Sequence, residues 1–181
     1  MANVGEVQVL SEPLALQRAD ELVALDVELR ESMGPAYSHI AWEASHFLRP
    51  MPSKWALSHV LINSEGNVIG FWIASRRGKD LHTHRVAIHR KNQGSGCGRR
   101  LFEAVLFAGR SLGLNRMTLT VGVPNLGALR FYESLGLVRQ GAESIQAFLH
   151  EHGRKARAEG DVLWEEGRYP YYLYFLTLRQ G

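Results

Sequence analysis

The chain has 181 residues, 45% hydrophobic and 22% charged, with a formal charge of +3, which is ordinary for a soluble globular protein with one sizeable core. The basic residues are scattered rather than set in a stripe, so the usual footprint of a nucleic-acid binder is missing. No apolar run is long enough to span a bilayer, and a single cysteine, Cys97, excludes an internal disulfide.

The N-terminus has neither a basic region nor an apolar core of signal-peptide type, so a cytoplasmic protein is expected. Val7–Leu10 reads as a short strand. Ser11-Glu12-Pro13 then starts a helix, with Ser11 as N-cap and Pro13 in the first turn. Leu16, Ala19, Leu22, Val23 and Leu29 share one broad face, and the helix fades near Ser32–Pro35. The segment from Gly34 to Trp55 is rich in aromatics and histidines: Tyr37, His39, Trp42, His46, Phe47 and Trp55. A short helix is expected over 41–48, and the aromatics either cap the core or line an acceptor pocket. Strands are expected over 55–62, 68–75 and 81–88, with turns between them.

The last of these strands enters a glycine-dense loop, Gln93-Gly94-Ser95-Gly96-Cys97-Gly98-Arg99, and the loop enters a helix. Leu101, Val105, Ala108 and Leu112 give that helix its apolar face, and Gly113 ends it. Glycines at alternate positions let the backbone approach a ligand closely and turn successive N–H groups into one concavity. The helix start adds unpaired N–H groups and a positive dipole end. Such a loop serves either as a tight turn or as a phosphate site. It is not a P-loop, because Arg99-Arg100 stand where Lys-Ser/Thr is required. It is a poor dinucleotide fingerprint, because Leu101 replaces the third glycine and no acidic residue lies between Glu103 and Glu133. Cys97 precedes the helix, where thiol pKa values fall, yet it reads better as a small apolar filler.

Downstream, a strand is expected from Arg116 to Val123, a helix from N-cap Asn125 to Gly136, and a short strand over 137–140. A helix with a basic end follows from Glu143 to Ala158, broken by Glu159-Gly160-Asp161. The last strand covers 169–178, with Pro170 at its start or on an edge. No internal repeat or linker divides the chain, so one domain over 1–181 is expected.

Gln93-x-x-Gly96-x-Gly98, preceded by Ile88, resembles the Gln/Arg-x-x-Gly-x-Gly/Ala signature of the GNAT superfamily of acyl-CoA-dependent N-acyltransferases. Asn125-Leu126-Gly127-Ala128-Leu129-Arg130-Phe131-Tyr132-Glu133-Ser134-Leu135-Gly136-Leu137 resembles the family's Asn-x-x-Ala-x-x-Phe-Tyr-x-x-x-Gly-Phe block, in the right order. The motif-bearing core covers about 54–141, and a C-terminal helix and last strand occupy 142–181. The resemblance implies an α/β fold: a single GNAT domain with a mixed, mostly antiparallel central sheet flanked by helices. It also implies an acetyl group moving from acetyl-CoA, or another short acyl-CoA, to a primary amine, with a small molecule favoured over a peptide N-terminus. A non-catalytic acyl-CoA-binding module is the rival from another class. The oligomeric state is open, a homodimer included.

The resemblance further assigns the cofactor to Val86, Ala87, Ile88, Gln93, Gly94, Ser95, Gly96, Cys97, Gly98, Arg99 and Asn125. It makes Tyr132 the acid that protonates the departing thiolate. His82-x-His84 is similar to the paired-histidine strand of arylalkylamine N-acetyltransferases, where two imidazoles are proposed to relay the amine's proton. Alternation places both histidines on the face of Val86 and Ile88, and an imidazole pKa near 6.5 would let them accept a proton at neutral pH. Bacterial enzymes that acetylate ribosomal-protein N-termini carry a Glu base five residues before the motif Asn, and this chain has Thr120 there. His39, His46, Glu165 and Glu166 are further candidates for the base. No Cys or Asp stands at ligand spacing from His82-x-His84, so no metal is expected.

Overall fold

The computed structural model describes residues 5–33, 41–165 and 170–178. The chain begins with β1 (Glu6–Val9), α1 (Glu12–Gln17), α2 (Ala19–Met33), α3 (Ala44–Leu48) and α4 (Lys54–Leu57). β2 (His59–Ile62), β3 (Val68–Arg77) and β4 (Asp80–Ile88) follow, then a 3-10 turn at Arg90–Asn92 and α5 (Cys97–Ser111). The rest is β5 (Arg116–Gly122), α6 (Leu126–Ser134), β6 (Val138–Arg139), α7 (Ala142–Glu151), β7 (Arg157–Glu159), β8 (Val162–Trp164) and β9 (Tyr171–Thr177). The sheet order is β1-β2-β3-β4-β5-β9-β8-β7, with β6 also on β9. Among the described residues, only β4 and β5 pair in parallel. This is the mixed, mostly antiparallel sheet that the resemblance implied. No helix among the described residues is long and apolar enough to cross a membrane.

Helices cover both faces of the sheet. Leu101, Phe102 and Val105 of α5 and Leu129 and Tyr132 of α6 pack on Trp72, Leu81, Leu119 and Tyr174. On the other face, Ala15, Leu22, Leu25 and Phe47 meet Val60, Phe71, Ile73 and Ala87, while Ile145, Phe148 and Leu149 of α7 meet Leu163 and Leu173. The caps act as the residues suggest. Ser11 Oγ accepts the Leu14 N–H, Asn125 Oδ1 accepts the Ala128 N–H at 3.1 Å, and Pro170 directly precedes β9.

Four expectations change. The first helix bends at Arg18, so that both Ala15 and Leu22 reach the same core. Residues 54–57 form a helical turn rather than the start of a strand. Here the buried Lys54 Nζ donates to the carbonyl oxygens of Phe47 and Arg49, closing the open end of α3, and burial pushes its pKa down to about 8. The buried face of α5 turns through Phe102 and Gly109 and leaves Leu112 45% exposed. Finally, α7 stops at Glu151, and 157–164 form a hairpin pairing Ala158 with Leu163 around Gly160 and Asp161. Those residues are a hairpin turn, not the end of a helix.

Candidate functional site

β4 and β5 pair only at Asp80–Arg116, Leu81–Met117 and His82–Thr118, and then part. Beyond that point β4 stays on β3 and β5 stays on β9. The β5 side of β4 from Thr83 to Ile88 therefore has no ladder partner. A cavity of about 840 Å³ fills the gap. Leu29, Met33 and Trp42 line it from the α2 side of the sheet, and Gly98, Phe131 and Tyr132 from the α5–α6 side. It therefore runs through the plane of the sheet.

The glycine loop forms one end. Gly94 and Gly96 have φ of +75° and +87°, in the left-handed region, and Gly96 is the N-cap of α5. The N–H groups of the first turn of α5 have no partner within the helix. Gln93 donates from Nε2 to the Ile88 carbonyl at 3.1 Å, tying the loop to the strand it leaves. A Cβ on Gly96 would meet open space, whereas one on Gly98 would fall 2.8 Å from Phe131 Cζ. Gly98 is thus required for the approach of α6 to α5. Of the expected cofactor residues, Val86, Ala87, Ile88, Gln93, Gly94, Gly98 and Asn125 line the cavity. Ser95, Gly96 and Arg99 are exposed outside its lining. Cys97 is buried in the core with its Sγ 3.1 Å from Ser95 Oγ, in keeping with a filler role.

The other end is polar and buried. His82 Nδ1 lies 2.8 Å from Thr118 Oγ1, and His84 Nε2 lies 2.7 Å from Ser75 Oγ. The two rings meet edge to face, with centroids 4.9 Å apart. They do not share a face with Val86 and Ile88. β4 has one residue more than β3 between the pairs Ala74–Thr83 and Ile73–Arg85, so a bulge at His84 reverses the alternation. His82 stacks on Phe148 of α7, while Val86 and Ile88 pack on the α5–α6 core. The bulge thus turns the imidazoles to one side of the gap and the apolar strand end to the other.

Burial holds the pKa of His82 well below its ordinary value, with help from the nearby Arg77 charge. Burial, then Arg77, Lys54 and Arg49, push that of His84 down to about 3. Both imidazoles are therefore neutral at physiological pH and weak as bases. Tyr132 lines the gap edge-on to Trp72, and burial raises its phenol pKa far above the usual value, so the hydroxyl stays protonated.

Among the further candidates for the base, His46 is exposed, its ring accepting the Glu43 N–H. Glu165 lines the cavity in an ion pair with Arg154. His39, Glu166, Tyr37 and Tyr169 lie outside the described residues. The aromatic segment contributes Trp42 and Arg49 to the lining, while Phe47 is core. Sequence reasoning missed Arg49, Arg77 and Arg154. No local motif marks them, because each comes from a different element. Asp80, Glu151 and His152 bring ligand-type atoms within 4.8 Å of one another. The Arg116 guanidinium already bridges the two carboxylates there, at 2.8 and 2.7 Å.

The chain superposes on the ribosomal-protein-S18-alanine N-acetyltransferase of Escherichia coli with a TM-score of 0.67, 17% identity and coverage of 97% of this chain and 95% of that one. A GNAT-family acetyltransferase from Staphylococcus aureus Mu50 gives a TM-score of 0.71 at 12% identity, covering 96% of this chain and 99% of that one. The yncA protein of Salmonella typhimurium, solved with its cofactor acetyl-CoA, gives 0.63 at 16% identity, covering 97% and 95%. No curated protein matches the chain significantly. The model of the acetyltransferase (GNAT) family matches residues 22–137. With well over half of its length matched by that model, the chain belongs to the acetyltransferase (GNAT) family, whose members are acetyl-CoA-dependent N-acetyltransferases.

Proposed function

We propose that this chain moves an acetyl group from acetyl-CoA to a primary amine on a small molecule, by direct attack within the gap between β4 and β5. The observation that carries the reading is the cavity through the sheet, with a backbone-rich glycine loop at one end and two buried neutral imidazoles at the other. The loop and the start of α5 would take the pyrophosphate. The thioester would lie along the unpaired edge of β4, where strand N–H groups from Val86 to Ile88 can stabilise the tetrahedral oxyanion.

The neutral amine nitrogen attacks the thioester carbon, the C–S bond breaks, the Tyr132 hydroxyl gives its proton to the departing sulfur, and the proton that the nitrogen sheds passes through water to the Tyr132 phenolate and restores it. His82 and His84 accept hydrogen bonds from the amine, directly or through water, without standing as charged groups. Their environment selects the neutral form of the amine, because the burial and the nearby cations that keep His84 unprotonated also disfavour an ammonium. Thr120 lines the cavity where a carboxylate base would be needed for the ribosomal-protein arrangement, which favours a small molecule over a peptide N-terminus.

A panel of small amines and of peptides with free N-termini, incubated with acetyl-CoA and read by thiol release and mass shift, tests the reading. Amine-dependent thiol release with an acetyl mass shift on a small amine is expected. Acetylation confined to peptides favours the second acceptor class. Acetyl-CoA binding with no acetylated product supports a binding module instead.

A further inference from the structure

Among the described residues, the histidine end of the cavity has more positive charge than its own carboxylates neutralise. Arg49, Arg77, Arg85 and Arg154 line it, and Glu165 is the one carboxylate in the lining among the described residues. Arg85 is matched from behind by the fully buried Asp26, with Nε and Nη2 donating at 2.6 and 3.0 Å. Arg154 is matched by Glu165. Arg49 and Arg77 make no side-chain hydrogen bond or ion pair among the described residues. Both lie close enough to His84 to lower its pKa, and Arg77, whose own pKa burial lowers first, is repelled by Arg154 and attracted only at a distance by Glu165, the carboxylate that Arg154 already holds.

Arg77 ends β3 and Arg49 follows α3, so these two guanidiniums converge from separate parts of the chain. They stand toward the start of β4, whereas the glycine loop follows its end. The six residue steps from His82 to Ile88 separate the two by about 20 Å of strand. Phosphates held at the glycine loop are therefore remote from these arginines. Guanidiniums with no hydrogen-bonded carboxylate in the wall of a substrate cavity suit a planar anion held by N–H donors.

We propose that the acceptor is a small amine that also carries a carboxylate, and that Arg49 and Arg77 bind the carboxylate while the amine faces the thioester. The inference rests on the acetyltransferase reading above and names the acceptor class for the same site. It also gives a role to Leu29 and Trp42, which line the same cavity. A short carbon chain between the two polar groups of the acceptor would pack against it.

The test compares kcat/KM, from thiol release, for ω-amino acids and their uncharged amides of equal length, in the wild type and in Arg77→Gln, Arg49→Gln and Arg77→Lys. The wild type should prefer the acid over its amide by about tenfold to a hundredfold, the worth of one or two hydrogen bonds to a charged group. The preference should reside mainly in KM. Each Gln variant should shrink the ratio toward one, and Arg77→Lys should retain part of it. Equal or better turnover of the amides in the wild type overturns the inference and leaves the acetyltransferase reading intact. An unchanged ratio in both Gln variants overturns it in the same way. No turnover of any amine, charged or neutral, overturns both.

Discussion

The glycine-loop end of the cavity comes from one short stretch of chain, with Gln93, Gly94 and Gly98 in its lining, whereas the histidine end is assembled from side chains on β3, β4 and β5 and on the segments after α3, α7 and β8. The first end works with backbone N–H groups, a helix dipole and the absence of Cβ atoms. The second works with burial, which keeps two imidazoles neutral and a phenol protonated, and with arginines that no local motif announces. The difference separates two tasks. Holding an anionic cofactor needs geometry that glycine provides locally. Handling a proton needs a low-dielectric pocket that only tertiary packing can make.

Tyr132 stands where the two ends meet, and its removal should have the largest effect. Tyr132→Phe keeps the buried ring and deletes the proton donor. It should lower kcat by about 10²–10⁴ if protonation of the thiolate limits the rate, with acetyl-CoA affinity nearly unchanged. Steady-state rates beside calorimetric titration check this. An unchanged kcat would move the acid role to water or to another group.

The histidine end should also show itself in acid. A folded-state pKa below the unfolded value of 6.5 means that the unfolded chain binds more protons, so stability falls as pH drops below about 6.5. For His84, whose pKa is about 3, the loss between pH 7 and pH 5 should be about 2 kcal/mol. His82 adds to it in the same direction. Urea unfolding at the two pH values, in the wild type and His84→Gln, measures the contribution, and an equal pH dependence in both would refute it. The same burial removes the limb near pH 6.5 that unperturbed imidazoles would give to kcat/KM. The rise with pH should follow the ionisation of the acceptor amine instead.

The glycine end should answer differently at its two key positions. Gly98→Ala pushes a methyl group against Phe131, so it should cost about 1 kcal/mol of stability through the α5–α6 contact, the lower end of what overpacking costs. A shift in the denaturation midpoint reports it. No shift would mean that the Phe131 ring moves aside freely.

These contrasts explain what the amino-acid order revealed. Most of the strands, the loop, α5 and α6 were legible because alternation, helical spacing and caps such as Asn125 act within a few residues. The direction of His82 and His84 was not, because the bulge at His84 arises from the pairing of β4 with β3 and reverses the alternation on which the shared face depended. The hairpin at 157–164 was hidden by a basic, helix-compatible stretch whose apolar residues, Ala158 and Leu163, find their partners on α7 and β9. Nothing local marks Lys54 as a buried cap, because that role exists only once α3 places three carbonyl oxygens around it. Arg49, Arg77 and Arg154 were silent for the same reason: long-range convergence has no local pattern.

The central claim is that the gap between β4 and β5 holds acetyl-CoA with its anionic part on the glycine loop. Gly96 tests it directly, because a side chain there meets nothing among the described residues and Asn is the substitute that tolerates its left-handed φ of +87° best. Calorimetric titration of acetyl-CoA should give one site per chain in the wild type. Binding to Gly96→Asn should be at least about tenfold weaker, a loss of roughly 1.4 kcal/mol, with the thermal midpoint nearly unmoved. Equal affinity in the two proteins would contradict the account and place the cofactor elsewhere.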